Sequence, residues 1–214
     1  MPTEVIEGLV NQQAPRAAGE GAEIGWKFTK RGEACIIGFF EAMYLEQRAY
    51  QIRAGSVSAP LTGTTAITNL QAEMSADVVG GITMIPTYFN MAIQTATGTA
   101  NEVRFAATGS ISSGGTVFVP LPLFIGGRAA VSTGRVQATG NVVVVADVVT
   151  TTRAIAMWGN GIIAGAYTTT FIYKARLPHI VVGGGGVYVA NGGSTGHTYF
   201  ANFEYIEIPT VNID

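Results

Sequence analysis

The sequence predicts an all-β protein: an antiparallel β-sandwich with a jelly-roll-like topology. About ten short runs rich in β-branched and aromatic residues follow one another, separated by turn residues at the spacing typical of a sandwich or barrel. Strands and helices do not alternate along the chain, which disfavours α/β folds. The 28 glycines among 214 residues show no Gly-x-y period and therefore suit turns rather than collagen. A chain of this length can bury a core as one domain.

Charge is scarce and unevenly distributed. Charged residues make up 12% of the chain, about half the usual share. Half of these charged residues lie at or before Arg53. We expect the rest of the chain to bury surface against copies of itself or against neighbours, the alternative being a neutral surface wetted by solvent. The net charge is −2. Nucleic-acid binding usually requires a basic patch or stripe, so we expect no nucleic-acid partner.

The start of the chain differs in character from the remainder. It is polar, glycine-bearing and weakly patterned, so it predicts an N-terminal arm (residues 1–32) before a single sandwich domain (residues 33–214). The segment from Met1 to Val10 carries acids where a signal peptide needs bases. No apolar run reaches the length of a membrane helix, and we expect no membrane partner. The lone Cys35 lies in an apolar run and is interpreted as a small core residue.

Residues 33–53 carry conflicting signals. The residues from Glu41 to Gln47 favour helix by local propensity. The run Cys35–Phe40 is β-like, and residues 44–52 alternate imperfectly between the two sides of a strand. Because the remainder of the chain is β, we expect strand here and keep helix as the alternative for residues 38–50.

The later segments contain several positional signals. Pro86 lies inside one predicted strand and indicates an edge position or a bulge. The run Asn141–Val149 is apolar on both faces, which is typical of a central strand. The runs Gly186–Ala190 and Tyr199–Ile208 flank a Gly/Ser-rich loop and predict a terminal β-hairpin. The other predicted segments are Ala72–Val79, Ile82–Gln94, Glu102–Ala107, Thr116–Ile125, Arg128–Gln137, Ala154–Ala164 and Tyr167–Ala175.

Residues that could carry chemistry are few. The two histidines, His179 and His197, lie far apart in sequence, and with one cysteine they do not make a zinc set. The G-x-S-x-G match at residues 192–196 has no helix after it and no histidine beyond His197, as a nucleophile elbow would need. The four glycines Gly183–Gly186 lack the motif and the helix of a phosphate loop. We therefore expect no catalytic residue, no metal site and no cofactor.

Carboxylate pairs are not predicted either. Glu204 and Glu207 are three positions apart on a strand, so they point to opposite faces. Asp77 and Asp147 lie on separate predicted strands. The sequence does not give the distance between these two, so only Glu204 with Glu207 is excluded as the acid pair that glycoside hydrolysis uses.

Aromatic residues crowd the end of the chain. Buried, they belong to the core or to a subunit interface, where aromatics are enriched; exposed, they could stack on sugar rings. Both faces of the run Tyr199–Ile208 carry apolar residues, which favours burial. The predicted subunit-interface residues are Tyr188, Tyr199, Ala201, Phe203 and Tyr205.

Two stretches also carry a family resemblance. Gly186–Ala190 with Thr198–Pro209 resembles the closing strands of jelly-roll virion proteins of tailed bacteriophages, and Gly80–Pro86 with Gly98–Val103 is similar to the same group. The resemblance covers Gly32 to the end of the chain. It implies a virion structural protein (capsid decoration, minor capsid or tail) that forms homotrimers, contacts other capsid or tail proteins and has no catalytic residue.

An alternative function comes from the aromatic residues. A fibre-tip or lectin-like module would recognise host glycans through exposed rings in its loops. Trp158, Tyr167 and Tyr199 are the candidates for that role.

Overall fold

The structure is a computed structural model. It describes residues 38–63, 71–97, 101–138, 142–144, 153–160, 164–165, 169–175, 179–192 and 197–212. The predicted arm, Cys35, Asp147, and most of the predicted strand Asn141–Val149 lie outside these ranges.

One α-helix, one 3-10 helix and seventeen strands occur in the described ranges. The helices are α1 (Phe39–Leu45) and the 3-10 turn Thr210–Asn212. The strands are β1 (Ala49–Ala54), β2 (Leu61–Thr62), β3 (Gln71–Ala72), β4 (Met74–Asp77), β5 (Ile82–Thr97), β6 (Asn101–Thr108), β7 (Ser113–Gly114), β8 (Thr116–Phe118), β9 (Leu121–Pro122), β10 (Thr133–Val136), β11 (Val142–Val143), β12 (Arg153–Asn160), β13 (Ala164–Gly165), β14 (Thr169–Lys174), β15 (Val181–Val182), β16 (Gly186–Gly192) and β17 (Thr198–Pro209).

Within the described residues these strands form three antiparallel sheets. Sheet A has the order β13-β5-β17-β1-β9, with β14 and β15 also on β5 and β2 on β17. Sheet B has the order β12-β6-β16-β4-β10-β8, and sheet C the order β3-β11-β7. Sheets A and B contribute the inward-facing residues of one large core. The predicted all-β antiparallel sandwich is therefore confirmed.

The inner faces of the two large sheets meet in a cluster of rings. Phe89 on β5 stacks on Phe105 of β6 with ring centroids 4.9 Å apart. Phe203 on β17 meets the edge of Phe105 at 5.2 Å, and Tyr205 stacks on Phe203 at 5.2 Å. These rings come from strands in both sheets and from both halves of the chain, so residues far apart in sequence share one core.

The outer faces of both sheets are covered in part. Val142 and Val144, from sheet C and the residue after β11, pack with Tyr188 over sheet B. On sheet A, Met43 of α1 and Leu123 cover an apolar patch formed by Ala49, Ile85, Ile206 and Ile208. Helix α1 therefore packs on the outer face of sheet A, and sheet C packs on the outer face of sheet B.

The predicted terminal hairpin is wrong. Both runs are strands, but β16 pairs with β4 and β6 in sheet B, whereas β17 pairs with β5 and β1 in sheet A. The two strands therefore belong to different sheets and do not pair with each other in the described residues. A two-residue alternation and a Gly-rich loop are common to hairpins and to crossovers, and only the pairing of more distant strands separates the two.

The strand expected before β1 is also wrong in its first half. Phe39–Leu45 is helical, and the chain becomes a strand at Ala49. Local propensity prevails because these residues lie outside the sheet, where no partner strand competes. The helix starts after Gly38 and ends in a turn in which Gln47 adopts a φ of 60°.

Pro86 lies at a β-bulge, as its position in the sequence predicted. In the β5–β17 ladder Tyr205 pairs with Pro86 and Glu204 with Tyr88, which leaves Thr87 as the extra residue. The Thr87 hydroxyl donates a hydrogen bond to the Glu204 carbonyl oxygen at 3.0 Å. Proline has no N–H to give to a ladder, so a bulge accommodates it inside a central strand.

Candidate functional site: the sandwich edge

The five residues predicted for a subunit interface lie inside a single chain. Tyr188, Tyr199, Ala201, Phe203 and Tyr205 are between 0% and 4% exposed. The four on β17 alternate onto the inner face of sheet A, and Tyr188 lies under sheet C. Other residues of the same chain surround them, so a second copy could contact almost none of their surface. Their interface role stays a sequence prediction, and the surface described below uses other residues.

A buried carboxylate occupies the inner face next to these rings. Glu207 is fully buried, and its two oxygens accept hydrogen bonds from the backbone N–H groups of Val131 and Ser132 at 2.9 and 3.0 Å. The Ser132 hydroxyl bonds both Glu207 and, at 2.5 Å, the Tyr205 hydroxyl. Glu207 therefore fastens the segment before β10 to the end of β17. Glu204 lies on the other face, where it accepts from Asn202 at 3.0 Å, so the predicted opposite orientation is confirmed.

Asp77 is the second buried carboxylate with serine partners. It accepts hydrogen bonds from the Ser112 backbone at 3.0 Å and from the Ser112 hydroxyl at 2.5 Å. Ser75 extends the chain of hydroxyls at 2.7 Å, and the Arg135 guanidinium lies 3.4 Å from the carboxylate. Each oxygen is thus held by groups that fix loop geometry, which is a structural arrangement of the kind expected for a buried charge.

Burial also controls two phenols. The pKa of Tyr199 is raised well above 10, first by burial and then by the neighbouring Glu73. The pKa of Tyr205 is raised well above 10 by burial, a shift that its hydrogen bond with Ser132 opposes and the charge of Glu207 reinforces. Both side chains are therefore neutral core groups with one polar tip.

The histidines and the glycan candidates can be placed in part. His197 is fully buried, and its ring fills the space beside Gly63, where any Cβ would overlap it. The described residues contain no group of three His, Cys, Asp or Glu side chains that could hold a metal ion. The fully buried ring of Tyr199 offers no face to a sugar. Tyr167, the side chain of Trp158 and residues 193–196 lie outside what is described.

The surface that stands out is one edge of the sandwich. The sequence carries no charged residue from Phe105 to Gly127. Within this stretch, Val117, Val119 and Leu121 alternate outward and are 54%, 61% and 55% exposed. Ile125, beyond the end of β9, is 96% exposed. We call these four side chains the edge stripe; sequence reasoning missed them because their segment was interpreted only as a strand with two prolines.

The two sheets position the edge stripe. In the described residues β8 is the last strand of sheet B and β9 the last strand of sheet A, so the segment between them closes one side of the sandwich. Phe118 points inward, with its ring against Gly134 at a distance that leaves no room for a Cβ there. Because side chains alternate along an extended chain, Val117 and Val119 must then point outward.

Backbone pairing is restricted along the same edge. Pro120 and Pro122 lack an N–H group, and proline at an edge blocks the addition of another strand. The edge stripe therefore favours contact through apolar side chains over continuation of the sheet. Edge strands are commonly also guarded by charged side chains, and the sequence of this one carries none.

No helix within the described ranges is long and apolar enough to cross a membrane. Comparison of the chain with protein-family models, with curated proteins and with solved structures finds no match.

Proposed function

We propose that the chain is a non-enzymatic virion structural protein that self-associates, as a homotrimer, and docks on a phage capsid or tail. The observation that carries the proposal is the edge stripe: three alternating side chains and Ile125, all large, apolar and about half or more exposed, in a stretch without charge. Burial against a second copy removes this surface from water. The virion role itself comes from the resemblance of the closing strands to phage jelly-roll proteins.

Magnitudes indicate how the edge stripe would contribute. Full burial of an exposed Val, Leu or Ile side chain stabilises by about 1.5–3 kcal/mol. Four such side chains, three of them already close to half-buried, give on the order of 4–8 kcal/mol per copy on that scale. Association costs about 4–15 kcal/mol in lost freedom, so the edge stripe is the centre of a contact and needs further surface around it. A closed ring of copies supplies two contacts per copy, which favours a cyclic oligomer over a lone pair.

The charge distribution supports an interface over a wetted surface. Arg135, the cation on β10, is engaged with the Gly114 carbonyl oxygen at 2.9 Å and with Asp77. Both of these partners belong to its own chain. An apolar patch without charged side chains is typical of permanent interfaces, which are more apolar than transient ones.

An electron-microscopic map of particles assembled with this chain tests the proposal. We expect copies grouped around a threefold axis, with Val119 and Leu121 covered by a neighbouring copy and the outer face of the group on the capsid or tail. A map in which the edge stripe faces solvent in every copy would refute the self-association surface. A chain that stays off such particles altogether would refute the virion role.

A further inference from the structure

We propose that the groove beside α1, on the outer face of sheet A, is a carbohydrate-binding site that takes one hexopyranose ring. The proposal does not depend on the virion role, since none of the four edge-stripe side chains lines this groove. The residues that carry it also differ from those that the sequence suggested for glycan recognition.

The groove is open to solvent and has aromatic side chains along it. Its volume is about 370 Å³, within the range of pockets that take small ligands. Phe40 and Tyr44 come from α1, where they are 43% and 42% exposed, and Tyr88 comes from β5. Met43, the residue before Tyr44, packs on the outer face of sheet A, so the helix is anchored there. The anchored helix holds two partly exposed rings beside the ring of Tyr88.

A β-bulge brings two neighbouring residues of β5 to the groove. In a regular strand Thr87 and Tyr88 would point to opposite faces of the sheet. Thr87 is the extra residue of the bulge, and both residues line the groove. The Thr87 hydroxyl donates to the Glu204 carbonyl oxygen at 3.0 Å, and the Thr87 carbonyl oxygen accepts from the Ala175 N–H at 3.0 Å. The bulge is thus fixed from both sides, and bulges often re-aim side chains next to functional sites.

Three side chains form a row across sheet A at this point. In the pairing of β14, β5 and β17, Lys174 is opposite Tyr88, and Tyr88 is opposite Glu204. All three line the groove. Neighbouring strands lie about 4.8 Å apart, so the backbones that carry Lys174 and Glu204 are about 10 Å apart, with the tyrosine between them. One phenol ring therefore has a cation on one side and a carboxylate on the other.

The two charged groups keep hydrogen-bonding capacity for a ligand. Glu204 accepts a hydrogen bond on Oε1 from the Asn202 amide at 3.0 Å, and its Oε2 accepts none from the described residues. Lys174 is exposed and makes no hydrogen bond or ion pair within the described part of the chain. An ammonium group only donates hydrogen bonds, and a carboxylate only accepts them. The row therefore offers donors at one end and an acceptor at the other.

These features fit a sugar better than a charged or a purely apolar ligand. A pyranose has C–H faces that pack on aromatic rings, and hydroxyl groups around its edge that both donate and accept hydrogen bonds. The charges of Lys174 and Glu204 are opposite, so the groove favours neither an anion nor a cation. An apolar ligand would remove water from both charged groups without replacing its hydrogen bonds, which is costly. A sugar ring over Tyr88, with hydroxyls directed at Lys174 and Glu204, satisfies both ends of the row.

Saturation-transfer NMR of the full chain with free sugars tests the site. The probes are glucose, galactose, mannose and N-acetylglucosamine, each in a separate sample. We expect saturation to reach the ring C–H protons of at least one of these sugars, because those protons lie against Tyr88. A chain that transfers saturation to none of the four would overturn the proposal.

Variants of the row locate the binding. For the sugar that binds, Glu204→Gln and Lys174→Met should each raise the Kd about tenfold, because each removes a charge-assisted hydrogen bond. Both positions lie on the outer face of the sheet, so these variants should unfold at the urea concentration of the wild type. Tyr88→Ala should abolish the transfer to the ring protons, since it removes the surface on which the sugar packs.

The matched control is Ile172→Ala. Ile172 is the next outward residue on β14 before Lys174 and is half-exposed, but it does not line the groove. This variant should keep the wild-type Kd. A Kd that is the same in Glu204→Gln, Lys174→Met and Tyr88→Ala as in the wild type would place the sugar elsewhere on the chain and overturn the assignment.

Discussion

Glu207 and Ser132 are joined by a 3.0 Å hydrogen bond from the serine backbone N–H to the carboxylate, inside the sandwich. The serine hydroxyl adds a second bond to the same oxygen and a link to Tyr205. Charge-assisted hydrogen bonds of this kind are among the stronger ones in proteins. This contact holds the segment before β10 against the last strand, and thereby fixes how the middle of the chain meets its end.

Removal of this carboxylate should destabilise the fold. Glu207→Ala leaves the N–H groups of Val131 and Ser132 without their acceptor, which costs about 1–3 kcal/mol for a buried group. We expect the free energy of unfolding to fall by about 3 kcal/mol in urea titrations. Glu204→Ala, on the outer face of the same strand, should change it by less than about 0.5 kcal/mol. Equal losses in the two variants would show that the Glu207 contact carries no special weight.

The ring cluster between the sheets should be equally sensitive. Phe105 is fully buried and contacts Phe89 and Phe203. Phe105→Ala should cost about 3–5 kcal/mol, because it removes buried area and leaves a cavity between rigid sheets. The half-exposed Ile172 on β14 provides the control, and Ile172→Ala should cost less than about 1 kcal/mol. A small loss for Phe105→Ala would mean that the sheets can collapse onto the gap.

Stability should fall steeply at alkaline pH. The pKa values of Tyr199 and Tyr205 are raised above 10 in the folded chain, so the unfolded chain loses these protons first as the pH rises. The stabilisation is complete below about pH 10 and is lost progressively above it, by up to about 1.4 kcal/mol per pH unit for each phenol.

The check is urea unfolding at a series of pH values above about 9, with the tyrosinate absorbance followed in parallel. Tyr205→Phe should remove the contribution of one titrating group from the pH dependence of the unfolding free energy, about 1.4 kcal/mol per pH unit. Tyr44→Phe, at a partly exposed position, should leave the Tyr205 contribution in place. Tyrosinate formation from Tyr199 and Tyr205 without any unfolding would contradict the burial argument.

Sequence patterns predicted much of the fold and failed where distant partners decide. The run Tyr199–Ile208 was recognised as a strand because its alternation is local, and Pro86 indicated the bulge because proline lacks an N–H. The hairpin failed because β16 and β17 find their partners in β4, β6, β5 and β1, which no local pattern reveals. The strand prediction for Phe39–Leu45 failed for the opposite reason. There the local helix propensity was the correct signal, and the expectation drawn from the rest of the chain was wrong.

The candidate surface was predicted even less well. Aromatic enrichment at interfaces directed attention to Tyr199, Phe203 and Tyr205, yet the same residue types fill cores, and here they lie in the core. The edge stripe consists of valines, leucine and isoleucine, which are ordinary strand residues. In the described residues, the position of β8 and β9 at the ends of their sheets accounts for the exposure of Val117, Val119 and Leu121. The segment between Arg104 and Arg128 has no charge, but neither has the stretch from Leu177 to Phe203, which contains the buried Tyr188 and Tyr199, so the lack of charge alone does not identify a surface.

The most direct test of association through the edge stripe is the molar mass in solution, measured by size exclusion with light scattering. The wild-type chain should have a mass of three copies of 22.3 kDa. The triple variant Val117→Ser, Val119→Ser and Leu121→Ser should run as a folded single chain. The matched pair Ile180→Ser and Val182→Ser, also half-exposed but on the lead into β16, should keep the wild-type mass. A wild-type chain that is monomeric at every concentration, or a triple variant that keeps the wild-type mass, would contradict the account.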